Sequence, residues 1–113
     1  MTDKPQISHD ELYHMLRADN VKGFNEARAA GKPCLLKGTD LRSMDLRGMN
    51  AAGLDMSDCY LRQADLRGLD LSETNLHGAS INNAKISGTL FPKELSAEEI
   101  NLSLTHGTRM RYR

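Results

Sequence analysis

Residues 38–92 read GTDLR SMDLR GMNAA GLDMS DCYLR QADLR GLDLS ETNLH GASIN NAKIS GTLFP, and the period of five decides the fold. One position in five is apolar or small: Leu41, Leu46, Ala51, Met56, Leu61, Leu66, Leu71, Leu76, Ile81, Ile86 and Phe91. The residue before it is Asp or Asn at positions 40, 45, 50, 55, 65, 70 and 75. A helix buries a stripe with a period near 3.6, and a half-buried strand alternates with a period of 2. A period of five fits a chain that runs briefly extended, turns a corner and runs again. The residue two before each centre then shares the inner side, because side chains alternate along an extended backbone. That second set runs from Cys34 through Thr39, Met44, Met49, Leu54, Cys59, Ala64, Leu69, Thr74, Ala79 and Ala84 to Thr89, and is mostly small or apolar. Units that cannot bury their apolar face alone must stack into a solenoid.

The motif resembles A-(D/N)-L-x-x, the signature of the pentapeptide-repeat family, and it covers residues 34–91. The resemblance implies an all-β solenoid, a right-handed quadrilateral parallel β-helix of about three coils with four pentads per coil. Residues 20 apart then stack. Gly48, Gly68 and Gly88 fall in one column, Leu46, Leu66 and Ile86 in another, and Leu41, Leu61 and Ile81 in a third. Arg42 falls under Arg62, and Arg47 under Arg67. Ala51 at a centre, and Tyr60, Ser80, Lys85 and Leu90 in the Asp/Asn slot, depart from the pattern.

A stack of coils needs its ends covered. The reading divides a single domain into an N-terminal helical cap at 1–33, the repeats at 34–92, and a C-terminal helix with a basic tail at 93–113. Ser8 and Glu11 form an S-x-x-E capping box for a helix over 8–18, with Leu12, Met15 and Leu16 facing inward. A second helix over 20–30 carries Val21, Phe24, Ala27 and Ala30 on one face, is weakened by Gly23, and stops at Gly31 and Pro33. Ser96 with Glu99 opens a third helix, to about Thr105, closed by Gly107. Residues 91–111 resemble the ending of other small bacterial pentapeptide-repeat proteins.

The 113 residues balance 15 basic against 15 acidic side chains, so a generally nucleic-acid-binding surface is not expected. No apolar run is long enough to span a membrane, and the polar start MTDKPQISHDELYHML lacks a signal-peptide core, so the expected compartment is the cytoplasm. Cys34 and Cys59 belong to the inner layer and read as small, reduced, buried residues.

No enzyme is expected, because a narrow core filled by Leu, Met and Ile offers no cleft with convergent polar groups. His9, His14, His77 and His106, with the two cysteines, have no zinc spacing, and no cofactor or metal is expected. The surface features are Arg42, Arg47, Arg62 and Arg67, whose stacked pairs would repel unless Asp40, Asp45, Asp65 and Asp70 intervene as a solvated ladder. Alternatively, they dock an acidic or phosphate-bearing partner, with Arg109 and Arg111 of the tail as further candidates. Leu95, Ile100, Leu102 and Leu104, with Met110 and Tyr112 nearby, exceed what one helix face can bury, and point to a homodimer or another protein partner at the C-terminal end. The resulting expectation is a non-enzymatic interaction module. One branch of the family modulates topoisomerases by DNA mimicry, which is the alternative that the resemblance brings.

Overall fold

The structure is a computed structural model, and it describes residues 10–113. The repeats are built from one local device. In pentad after pentad the carbonyl of the central residue accepts from the amide three residues on, as in Leu46 to Met49 at 3.1 Å, Leu61 to Ala64 at 3.0 Å and Ile86 to Thr89 at 3.0 Å. The third residue of such a turn has a left-handed φ, which glycine adopts most readily. Gly48, Gly68 and Gly88 hold it at 82°, 73° and 72°. The adjoining corner holds it with Ser43, Gln63 and Asn83, at 62°, 60° and 57°.

Between turns the chain is extended only long enough to pair at one residue. Pairing therefore takes the form of isolated parallel bridges, not the continuous strands expected of a β-helix. The bridges join Asp40 to Tyr60, Asp45 to Asp65, Asp55 to Asn75, Tyr60 to Ser80, Asp65 to Lys85 and Asp70 to Leu90, always 20 residues apart. Each is a pair of backbone hydrogen bonds, as where the Leu41 amide donates to Tyr60 O (2.9 Å) and the Tyr60 amide to Thr39 O (3.0 Å).

The stacking places the apolar centres inside. Leu41, Leu61 and Ile81 are fully buried, as are Leu46 under Leu66, Ala51 under Leu71 and Met56 under Leu76. The small polar residues of the second inner set donate to the central carbonyl 23 residues earlier: Cys59 Sγ to Leu36 O (2.9 Å), Thr74 Oγ1 to Ala51 O (2.8 Å) and Thr89 Oγ1 to Leu66 O (2.6 Å). This disposes of their polar atoms inside the core, where an unmatched one would be costly. Among the described residues no buried side-chain nitrogen or oxygen lacks a partner. Cys34 departs from the expectation. It sits at the lower end, where coverage is incomplete, and is only half-buried.

Two helices close the lower end. α1 spans Glu11–Arg17 and α2 spans Val21–Ala29. The cap of α1 is Asp10, whose carboxylate accepts from the Tyr13 amide at 3.0 Å; Ser8, the expected cap, lies outside the described residues. Leu12 and Leu16 are buried as expected, but Tyr13 joins them in place of Met15, which is only half-buried. Tyr13 OH donates to Asp40 O (2.8 Å), satisfying a carbonyl of the lowest coil. Gly23 leaves room for the Asn20 side chain, which folds back to cap α2. Below the next face, the Asn25 amide stands in for a missing peptide: it donates to Gly48 O (2.9 Å) and accepts from the Asn50 amide (2.8 Å). Arg28 adds bonds to Asn50 O (2.8 Å) and Ala52 O (3.0 Å).

Candidate functional site

The arginines sit one residue after each centre, at the first corner of the turn. There the guanidinium folds back onto the aspartate two residues earlier. Arg42 Nε and Nη2 donate to the Asp40 carboxylate at 2.8 and 2.9 Å, Arg47 to Asp45 at 2.9 and 2.7 Å, and Arg67 to Asp65 at 2.9 and 2.7 Å. The same carboxylates accept from the arginine amides, so each pair closes a two-point fork plus a turn. Arg47 also reaches Asp65 one coil above, at 3.4 Å. The Arg67 side chain, foremost, holds Asp65 down to about 2. Burial opposes this, while the Arg67 amide and the charges of Arg67 and Arg47 assist. Asp40 and Asp45 are lowered by the corresponding forks. The expected ladder is therefore made of pairs within a pentad, with one contact between coils. Asp70 is no part of it, since its carboxylate takes the Ser72 hydroxyl at 2.6 Å.

Arg62 stands apart. Two residues before it is Tyr60, not Asp, so it has no fork. The Tyr60 hydroxyl accepts from Arg109 at 2.6 Å, and the Arg109 guanidinium lies 5.2 Å from the centre of that ring. Among the described residues Arg62 has no acidic partner.

The upper end corrects the expectation that the apolar residues of the C-terminal segment are left over for a partner. α3 spans Ala97–His106, capped by Ser96 on the Glu99 amide (3.1 Å) and by Gly107 at φ 72°. Leu95 and Met110 are buried inside this chain, and neither is available to a second molecule. The Met110 amide donates to Ala79 O (2.9 Å) and Met110 O accepts from the Gly78 amide (2.6 Å), so the tail occupies the place of a further coil. The Tyr112 hydroxyl accepts from the Leu76 amide (2.9 Å) and donates to Thr74 O (3.3 Å). Ser103 Oγ accepts from the Ile81 amide (2.9 Å), and Leu104 O from the Asn83 amide (3.1 Å). Ile100 and Leu104 pack half-buried on the core, and Leu102 remains 42% exposed. Arg109 reaches Asp58 at 3.6 Å, and Arg111 reaches Glu99 at 3.6 Å, so both of these tail arginines have an acidic partner within the chain.

This closure stops short of the stretch 86–91. Among the described residues the amides of Ile86, Gly88 and Phe91 meet no acceptor, although their counterparts one coil below, at Leu66, Gly68 and Leu71, are all bonded upward. Leu90, on the same stretch, is 59% exposed. Its place in the polar slot before a centre was the signal in the sequence, since that slot carries Asp or Asn in most pentads.

Among the described residues no three His, Cys, Asp or Glu groups come together in a way that could hold a metal ion. His9 lies outside the described residues, His14 and His106 are exposed, and His77 Nδ1 accepts from the Tyr112 amide at 3.1 Å. Cys34 and Cys59 are both free thiols, and burial, the largest cause in each case, pushes both up to about 11. Among the described residues no helix is long and apolar enough to cross a membrane.

The family model for pentapeptide repeats matches residues 34–68 and 55–91, with eight copies. The two matches together span 34–91, just over half of the 113 residues. The chain belongs to the pentapeptide-repeat family. No curated protein and no solved structure matches it.

Proposed function

We propose that this pentapeptide-repeat chain is a non-enzymatic protein-interaction module: a short, right-handed, four-sided parallel β-helix that contacts a partner protein through its upper edge. The observation that carries this reading is the incomplete closure of that end. α3 and the tail bond to residues 74–83, while among the described residues the amides at 86, 88 and 91 meet no acceptor. Unpaired ladder groups with exposed apolar side chains mark a contact. Leu90 belongs to the open stretch, and Leu102 to the helix that closes the neighbouring one. An extended segment of a partner could continue the ladder there by strand addition. A second copy of this chain is one such partner, with Leu90 and Leu102 as its contacts in place of Leu95. The free thiols of Cys34 and Cys59 suit a cytoplasmic setting. DNA mimicry is not favoured, because Asp40, Asp45 and Asp65 are each neutralised by an arginine fork where a mimic needs free carboxylates.

The test is affinity capture with the wild type and with the double variant Leu90→Glu/Leu102→Glu, checked first for unchanged circular dichroism. A protein retained by the wild type and lost by the folded variant supports the reading. Identical captured sets would refute it. Light scattering on both proteins at micromolar concentration decides whether the partner is a second copy.

A further inference from the structure

Three arginines converge on one open groove: Arg17 from α1, Arg42 from the first coil and Arg62 from the second. Asp40, Ser43 and Gln63 complete its polar lining around a volume of about 600 Å³. One carboxylate faces three guanidinium groups, in a chain whose formal net charge is zero. The charge is thus local to this corner.

The three guanidinium groups differ in how they are occupied. Arg42 spends Nε and Nη2 on Asp40. Arg17 Nη1 donates to the Tyr13 hydroxyl at 3.2 Å, a neutral acceptor, and the negative charge near it is Asp40, which Arg42 already forks. Arg62 has neither a fork nor another acceptor among the described residues, because Tyr60 replaces the aspartate that serves Arg42, Arg47 and Arg67. The corner itself is unusual. Ser43 and Gln63 hold left-handed backbone, where the neighbouring corner has Gly48 and Gly68. L-residues are disfavoured there. Their presence adds a hydroxyl and a carboxamide to the groove that glycine would lack. Ser43 Oγ donates to Gln63 Oε1 at 3.4 Å, which leaves the Gln63 amide nitrogen to donate outward.

We propose that this groove binds a phosphate group in its dianionic form. Arg62 and Arg17 clamp it, and Arg42 and Gln63 supply further donors. Three guanidinium groups against one carboxylate leave two positive charges over, which match a dianion, and a phosphate presents enough oxygens for donors arriving from three segments. A carboxylate carries one charge and two oxygens, and would leave one guanidinium unmatched. A phosphate monoester is largely dianionic at neutral pH, and the groove has room for the group that carries it. The proposal is independent of the upper-edge contact, which lies at the other end of the chain's stack.

The experiment is a two-dimensional amide NMR titration at constant ionic strength, with sodium phosphate, phenyl phosphate and sodium acetate as probes. Saturating shifts at Ser43, Arg62 and Gln63 with either phosphate, and none with acetate, are expected. Arg62→Gln should weaken binding about tenfold or more, since it removes charge-assisted hydrogen bonds. Arg47→Gln, whose side chain is committed to Asp45 and Asp65, should change it little. Tighter binding of phenyl phosphate identifies an ester-borne phosphate as the ligand class, and equal binding identifies the free ion. Shifts that never saturate, saturation away from these residues, equal response to acetate, or equal loss in Arg47→Gln would overturn the proposal.

Discussion

Replacing Tyr112 by Phe isolates what the tail contributes to the fold. The hydroxyl bridges two backbone groups of the last coil, accepting from the Leu76 amide at 2.9 Å and donating to Thr74 O at 3.3 Å. The ring's edge contact with His77, 5.4 Å between centroids, survives the change. The loss is therefore two hydrogen bonds and little apolar contact. Each is worth about 0.5–1.5 kcal/mol net, with more lost where a group stays dry and unpaired. The longer bond belongs at the low end, which puts the sum at about 2 kcal/mol. For a chain of this size about 4 °C of melting temperature follows per kcal/mol, so the midpoint should fall by about 8 °C. Calorimetry on the two proteins measures it, and the Leu76 amide should exchange faster in the variant. An unchanged midpoint and an unchanged Leu76 amide would refute the docked tail.

The remaining predictions concern the core, the forks and the thiols. Leu66→Ala, at a fully buried centre, should cost about 2–5 kcal/mol by denaturant titration, while Leu102→Ala on exposed surface should stay within about 0.5 kcal/mol. Leu66→Asp, which buries an unpaired charge in the middle coil, should leave no cooperative transition. Asp65 has a folded value near 2, below the ordinary 3.8, so its contribution is present above about pH 4 and is lost as pH falls through 2. Asp65→Asn should flatten the acid limb of a melting-temperature profile in that window, and an unchanged limb would count against the fork. Both thiols, raised to about 11, should react slowly with iodoacetamide at pH 8, and rapid labelling of Cys59 in the folded protein would contradict its burial.

Columns such as Leu41, Leu61 and Ile81 followed from the five-residue period together with the four pentads per coil that the family resemblance implies. The helical ends could be read in outline, through Ser96 with Glu99 and through Gly107. What escaped depends on contacts distant in the chain. Nothing near Met110 or Tyr112 says that their partners are Ala79 and Leu76. Tyr13 is likewise buried by a carbonyl 27 residues away, and not by the spacing of its own helix. The fork of each Arg onto the Asp two before it is a consequence of turn geometry, which an expectation of pairing between coils overlooked. The isolation of Arg62 could have been seen, since Tyr60 already breaks the D-L-R pattern.

Native-state hydrogen exchange tests the central claim, a stack of 20-residue coils closed over residues 76–83 and open along 86–91. The amides of Leu61, Leu66 and Leu71 donate to Ser80, Lys85 and Leu90, and should be strongly protected. Those of Ile86, Gly88 and Phe91 meet no acceptor among the described residues and should exchange quickly. Fast exchange at Leu66 and Leu71 would contradict the register, and slow exchange at Ile86 and Gly88 in the isolated monomer would contradict the open edge.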